Sequence, residues 1–106
     1  MPDTLKDMLA EFKMRLEKLY GQDLKSIILY GSWARNEAAD DSDVDLTVVL
    51  KGNISPGREI DRMIEIITDI NLRYKTLIAV YPVSEENYLA VKSPLLLNIH
   101  REGISV

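Results

Sequence analysis

The sequence predicts an α+β fold in which a small, mixed β-sheet packs against helices. Two observations support this prediction: short apolar runs rich in β-branched residues alternate with longer amphipathic stretches, and glycine, proline or serine separates most of them. The 106 residues suffice for one modest hydrophobic core, so we expect a single domain over residues 1–106. The predicted order is helix, strand, short helix, strand, helix, strand and two closing helices.

The first element is an amphipathic helix over residues 4–20. Thr4 and Asp7 resemble a capping box at its start, and Gly21 suits a left-handed residue after its end. Its apolar residues recur at helical spacing: Leu5, Met8, Leu9, Phe12, Leu16, Leu19 and Tyr20.

Three apolar runs predict the main strands, over residues 26–32, 45–52 and 76–83. The last residues, 104–106, predict a short edge strand.

Serine begins each of the remaining predicted helices, because its side chain caps free N–H groups. Segment 32–39 is predicted as a short helix, and segments 84–91 and 93–103 as two longer ones. A further helix begins at Ser55 and Pro56, since proline fits the first turn. It is predicted to end near Tyr74, and its expected apolar face consists of Ile60, Met63, Ile64, Ile67, Ile70 and Tyr74.

The composition argues against several classes of function. The formal net charge of −4 disfavours direct binding of nucleic acid, which requires a basic patch. Without cysteine there is no disulfide, thiolate zinc site or cysteine nucleophile. No apolar run approaches the roughly 20 residues of a membrane span, and the first residues lack a signal-peptide pattern. We expect a cytoplasmic protein.

Asp43 and Asp45 stand one residue apart where the second apolar run begins. In a strand their side chains share one face, while Val44 and Leu46 point to the other. Carboxylates held this close repel unless a cation or a proton lies between them. Hard oxygen ligands suit Mg²⁺ or Mn²⁺, and magnesium in such sites is usually also bound by substrate phosphates. The pair therefore predicts a metal site for a phosphorylated substrate, of which a nucleotide is the common example.

The Gly31–Ser32 pair ends the first strand, and ten residues separate it from Asp43. Glycine permits close approach of a phosphate, and Ser32 can donate its hydroxyl and nearby N–H groups to a phosphate oxygen. The simpler alternative is a polar turn before a strand, where such residues are common.

Residues 31–46, GSWARNEAADDSDVDL, resemble the signature of the polymerase-beta-like nucleotidyltransferase superfamily, and the chain is similar in size to its minimal nucleotidyltransferases (MNT). The resemblance implies the nucleotidyltransferase fold and the transfer of a nucleoside monophosphate, AMP from ATP, to a hydroxyl. It implies catalytic and metal-binding roles for Asp43 and Asp45, with Mg²⁺ or Mn²⁺ as cofactor. It also implies nucleotide binding by Gly31 and Ser32.

The small size and the same resemblance predict a protein partner. Little of the chain remains to bind an acceptor once the catalytic core is counted, so another subunit or a protein substrate should provide it. Similarity to MNT proteins implies a helical HEPN-family partner in a toxin–antitoxin arrangement. There the transferase is the antitoxin, and a side chain of the partner is the acceptor.

One residue expected from the family is missing. Similar proteins usually carry a third acid on a later strand, but segment 76–83 contains none. An alternative function follows, in which a weakly active or inactive module of this fold binds nucleotide or neutralises a partner by contact. The sequence leaves open which residues of the segment face the aspartates, either Leu77, Ala79 and Tyr81 or Ile78 and Val80.

Three residues that follow the Gly-Ser pair are also candidates for a role in the site. Asn36 stands where similar sequences often have glycine, and asparagine tolerates the left-handed conformation. Trp33 could stack on a base, but core packing is favoured. Arg35 is a candidate nucleotide-binding residue, and the alternative is an ion pair with Glu37, Asp40 or Asp41.

Overall fold

A computed structural model describes all 106 residues, with helices on both faces of a four-stranded sheet. The strands are β1 (Leu24–Tyr30), β2 (Val44–Leu50), β3 (Ile78–Ser84) and β4 (Ile104–Ser105). The helices are α1 (Asp3–Tyr20), α2 (Pro56–Tyr74), α3 (Glu85–Ala90) and α4 (Pro94–Glu102). None of these helices has the length and apolar character needed to cross a membrane.

The sheet has the strand order β3-β2-β1-β4 and is mixed, as predicted. β1 runs antiparallel to β2 and β4, while β2 runs parallel to β3. One face packs against α1 and α2 around residues such as Phe12, Leu46 and Met63. The other face packs against α4 through a smaller cluster that includes Val49 and Ile99. Helices on both faces explain why β2 is buried almost throughout its length.

The caps of the helices agree only in part with the sequence predictions. The side chains of Ser84 and Ser93 accept hydrogen bonds from N–H groups at the starts of α3 and α4. The predicted capping box is wrong, because α1 begins at Asp3, which leaves Thr4 inside the helix without a capping bond. Strand limits also shift by one or two residues, so that β1 already ends at Tyr30.

The buried face of α2 differs from its predicted face. Ile64 is 48 % exposed, whereas Ile66 is buried beside Met63 and Ile70. Successive helical residues are about 100° apart, and the arc of α2 that faces the sheet and α1 excludes Ile64. The apolar periodicity therefore identified the helix but misplaced one edge of its buried face.

Lys75, which follows α2, has the left-handed conformation that favours glycine, with φ 52° and ψ 46°. We expect Lys75→Gly to raise the free energy of unfolding by about 1 kcal/mol, because a side chain with a Cβ is strained there. Urea denaturation measures the change. Leu72→Gly is the control: this exposed position lies inside the helix, so glycine should destabilise it by about 1 kcal/mol. Equal loss of stability in both variants would contradict the prediction.

Candidate active site

The chain after β1 forms a hydrogen-bonded turn over residues 31–36, and the predicted short helix 32–39 is wrong. The Arg35 N–H donates to the Gly31 carbonyl at 3.1 Å. Gly31 (φ 75°) and Asn36 (φ 58°) are both left-handed, so the helical conformation cannot extend past either end. Asn36 thus has the conformation that its residue type tolerates.

Trp33 joins this turn to the loop before β2. Its ring packs, partly buried, against the larger core cluster, so the favoured core role is confirmed. Its indole N–H donates to the Ser42 carbonyl at 3.1 Å. The Ser42 hydroxyl in turn accepts a hydrogen bond from the Ala39 N–H at 2.9 Å. These bonds fix the residue immediately before Asp43.

Asp43 and Asp45 flank Val44, and their carboxylates have no hydrogen-bond partner within the protein. Val44 and Leu46 are at most 2 % exposed and point into the core, as predicted. Burial, and then the nearby charge of Asp43, raise the pKa of the Asp45 carboxyl. The structure therefore brings together two carboxylates that repel each other.

Gly31 lies directly against one of these carboxylates. A Cβ atom built at Gly31 would overlap the Asp45 Oδ2 atom and lie 3.1 Å from its Cγ. Only glycine therefore permits the turn to pass this close to Asp45 in a left-handed conformation.

The third strand places no acid beside the aspartates. Ala79 pairs with Asp45 across the parallel β2–β3 ladder, and Tyr81 pairs with Thr47. Ile78 is buried in the core on the opposite face. Of the two sets of residues that the sequence allowed to face the aspartates, the structure therefore selects the one that contains Ala79 and Tyr81.

Glu102, the last residue of α4, is the residue of this site that sequence reasoning missed. Its Oε1 accepts a hydrogen bond from the Gly31 N–H at 3.0 Å, and both of its oxygens lie 3.1 Å from Arg35 Nη1. These bonds, first that of the Gly31 amide, lower the pKa of the Glu102 carboxyl. One signal was available: an acid in the last turn of a helix opposes the helix dipole, so a compensating partner is expected there.

Arg35 is held between two carboxylates. Its Nε lies 3.1 Å from Glu37 Oε2, and its Nη1 binds Glu102. The pair with Glu37 was one of the predicted alternatives, whereas Asp40 and Asp41 form no ion pair with Arg35. The Nη2 group has no partner in the protein, and the side chain is 43 % exposed. The guanidinium charge lowers the pKa of Asp45, in opposition to the effects of burial and of Asp43.

Comparison with known proteins gives the family of this chain. A family model described as "Polymerase beta, Nucleotidyltransferase" matches residues 13–104. The chain belongs to this nucleotidyltransferase family. The resemblance seen in residues 31–46 and the predicted nucleotidyltransferase fold are both confirmed.

Curated relatives of this chain occur in Methanocaldococcus jannaschii. One, named "Putative protein adenylyltransferase MJ1305", is 41 % identical over 100 residues, which cover 90 % of this chain and 66 % of that protein. Another, named "Putative protein adenylyltransferase MJ0604", is 33 % identical over 78 residues, which cover 74 % and 72 % of the two chains. The chain thus spans just under two thirds of the length of the first relative.

Two solved structures share the fold of this chain. One is a crystal structure of a toxin–antitoxin with AMP-PNP, with a TM-score of 0.60 and 16 % identity, covering 89 % of this chain and 68 % of that chain. The other is a mutant of the toxin–antitoxin MntA–HpeT, with a TM-score of 0.58 and 12 % identity, covering 88 % and 68 %. At these identities the likeness shows the fold alone.

The Asp43 and Asp45 carboxylates fit a divalent metal ion in part. Asp43 and Asp45 offer hard oxygen atoms that no protein donor occupies, which suits Mg²⁺ or Mn²⁺. No group of three or more His, Cys, Asp or Glu side chains in the structure could hold a metal ion. A metal bound by the pair would therefore need phosphate or water oxygens to complete its coordination.

Asp45→Asn should stabilise the nucleotide-free protein at neutral pH. The raised pKa means that folding disfavours the ionised form of Asp45. The ionised carboxylate therefore lowers the free energy of unfolding at pH values above its ordinary pKa of about 3.8, and it has no such effect below that pH. We expect a gain of at most about 1 kcal/mol at pH 7 and none at pH 3, because solvent screens the repulsion. Thermal unfolding in a chelator measures it, with Asp40→Asn as the exposed control. A markedly less stable Asp45→Asn variant would show that the carboxylate has a structural role.

Proposed function

We propose that this chain is a metal-dependent protein adenylyltransferase, which transfers AMP from ATP to a hydroxyl of a partner protein. The observation that carries the proposal is the contact between Gly31 and Asp45. It puts a turn with no Cβ beside two carboxylates, Asp43 and Asp45, that lack partners in the protein. Membership of the nucleotidyltransferase family supports the reaction, and the names of the Methanocaldococcus relatives support a protein acceptor.

Each candidate residue has a distinct task in this proposal. Asp43 and Asp45 hold Mg²⁺ or Mn²⁺, which when bound neutralises the charge of the triphosphate. Gly31 permits the close approach of a phosphate, and Ser32, whose hydroxyl makes no hydrogen bond in the protein, donates to a phosphate oxygen. Arg35 offers its unpaired Nη2 group to the same anion.

The transfer itself is a displacement at the α-phosphorus of ATP. The acceptor hydroxyl oxygen forms the new P–O bond, the bond between the α-phosphorus and the bridging oxygen breaks, and pyrophosphate leaves. The hydroxyl proton passes to solvent, because β3 places Ala79 and no carboxylate beside Asp45, and the Glu102 carboxylate is occupied by Gly31 and Arg35. A general base contributes about 10²- to 10⁴-fold, so we expect slow transfer.

The partner in this proposal is a helical HEPN-type protein, and the chain acts as the antitoxin in the cytoplasm. Two structures that share its fold belong to toxin–antitoxin proteins, one of them with AMP-PNP, which supports both the arrangement and the nucleotide. The second candidate function is a binding module that neutralises its partner by contact alone. Ala79, an alanine beside Asp45 on β3, is the observation that favours it.

Incubation with α-labelled or γ-labelled ATP and Mn²⁺, with and without the candidate partner, separates the two functions. Our proposal predicts that the α-label, and not the γ-label, attaches to the partner and adds the mass of one AMP. If the partner binds tightly and gains no mass, the chain is a binding module. Labelling of the partner by γ-labelled ATP would identify a kinase and refute both candidates.

Ser32→Ala removes a single hydroxyl from the turn. Loss of a hydrogen bond to a charged group costs about 1.5–3 kcal/mol, so we expect ATP to bind about 10- to 100-fold more weakly. Isothermal titration with Mn²⁺ and a non-hydrolysable ATP analogue measures this change. Ser55→Ala is the matched control: this exposed serine lies at the start of α2 and makes no capping hydrogen bond with its side chain, so the variant should bind like the parent. If Ser32→Ala also binds like the parent, the hydroxyl does not touch phosphate.

A further inference from the structure

Glu102 links the closing helix to the turn after β1, and we propose that it is a positioning residue for the triphosphate. In this role it fixes the Gly31–Ser32 turn and orients the Arg35 guanidinium. The inference rests on the proposed function, and it assigns a task to a residue far outside the Gly-Ser and Asp-x-Asp motif.

The backbone that carries Glu102 is fixed to the same strand that ends at the turn. Gly103 passes so close to its neighbours that a Cβ atom there would overlap both the Ile99 carbonyl oxygen of α4 and the Ile28 Cγ2 atom of β1. The next two residues form β4 and pair with Ile28 and Leu29 of β1. Gly31 directly follows β1, and Glu102 lies two residues before the strand β4 that pairs with β1, so the carboxylate and the turn have a fixed relative position.

The carboxylate of Glu102 holds two groups that face the proposed phosphate site. It accepts the Gly31 N–H at 3.0 Å, which fixes the peptide plane at the start of the turn. It also lies 3.1 Å from Arg35 Nη1, while Glu37 binds Nε of the same guanidinium. Because Nε and Nη1 are both bound to carboxylates, the orientation of the guanidinium plane is fixed, and the Nη2 group remains free to bind a ligand. An arginine already held in one orientation loses less entropy when it binds a phosphate.

The proposed role of Glu102 depends on its hydrogen bonds more than on its charge. The negative charge of its carboxylate lies at the Gly31 N–H and by itself repels another anion that approaches the turn. Glutamine can still accept from the Gly31 N–H and from Arg35 through its amide oxygen. Alanine removes both bonds. Glu102→Gln and Glu102→Ala therefore separate the positioning role from a simple charge effect.

Hydrogen exchange in the nucleotide-free protein tests the fixing of the turn. We expect the Gly31 amide to exchange about tenfold faster in Glu102→Ala, because its acceptor is lost, and at the parent rate in Glu102→Gln. Arg101→Ala, at the neighbouring exposed position, is the matched control and should leave the exchange unchanged.

Titration with ATP and Mn²⁺ tests the consequence for binding. We expect Glu102→Ala to bind about tenfold more weakly than the parent, and Glu102→Gln to bind at least as tightly. In an Arg35→Ala background the effect of Glu102→Ala should shrink, because the two residues act together. Parent-like exchange and affinity in Glu102→Ala would overturn the inference, and tighter binding would show that Glu102 competes with the phosphate. If the parent does not bind ATP, the proposed function fails, together with the triphosphate role of Glu102. The exchange data then decide separately whether Glu102 fixes the turn.

Discussion

Asp43→Asn is expected to lower the rate of nucleotide transfer at least about 1,000-fold. A metal ion contributes several kcal/mol of transition-state stabilisation, and each 1.4 kcal/mol is worth a factor of ten in rate. Asparagine has nearly the same size as aspartate but lacks the charge that holds the metal. The carboxylate has no hydrogen bond to lose, so the fold should persist. The rate is measured as the gain of AMP mass on the partner protein over time.

Asp41→Asn provides the matched control for this substitution. It makes the same chemical change two residues earlier, at an exposed position. Transfer by Asp41→Asn should stay within about twofold of the parent, because surface charges contribute little. If Asp43→Asn keeps more than a tenth of the parent rate, Asp43 does not hold the metal, and the site assignment is wrong.

Gly31→Ala is expected to lower the free energy of unfolding by about 2–3 kcal/mol and to weaken ATP binding at least about 100-fold. The left-handed conformation alone costs a residue with a Cβ about 1–2 kcal/mol. The added methyl group also overlaps the Asp45 carboxylate, which must move. Because the displaced carboxylate is a proposed metal ligand, binding should suffer more than stability. Urea denaturation and calorimetric titration measure the two effects.

Gly52→Ala separates strain from collision. Gly52 has a similarly positive φ of 88°, but no atom lies within 4 Å of the position of its added Cβ. This variant should therefore lose about 1–2 kcal/mol and retain ATP binding. Should Gly31→Ala match Gly52→Ala in both measurements, the contact between Gly31 and Asp45 would have no functional consequence.

The elements that the sequence predicted well are those whose signals are local. Apolar residues at helical spacing identified α1 and α2, and serine caps identified the starts of α3 and α4. The predicted helix 32–39 was wrong because two left-handed residues, Gly31 and Asn36, limit it to one turn. At Gly31 the conformation is tied to the close approach of the Asp45 carboxylate, and a single sequence does not show that contact.

For the candidate site, too, the sequence predicted the residues that lie close together in the chain and missed the distant one. Gly31, Ser32, Asp43 and Asp45 fall within fifteen positions, so strand alternation and spacing could bring them together. Glu102 is 71 positions from Gly31, and the packing of α4 on the sheet together with the pairing of β4 with β1 brings the two into contact. Ala79 likewise lies beside Asp45 because of the register between the parallel strands β2 and β3. A long helix connects these strands, so the sequence does not determine their register.

Whether Asp43 and Asp45 form a metal and nucleotide site is measured by the binding of Mn²⁺ in the presence of a non-hydrolysable ATP analogue. Electron paramagnetic resonance measures the concentration of free Mn²⁺ during a titration. We expect the analogue to promote saturable binding of Mn²⁺ by the parent, and the double variant Asp43→Asn with Asp45→Asn to lose this binding. Equal, analogue-dependent binding of Mn²⁺ by the parent and the double variant would show that the two carboxylates do not hold the metal.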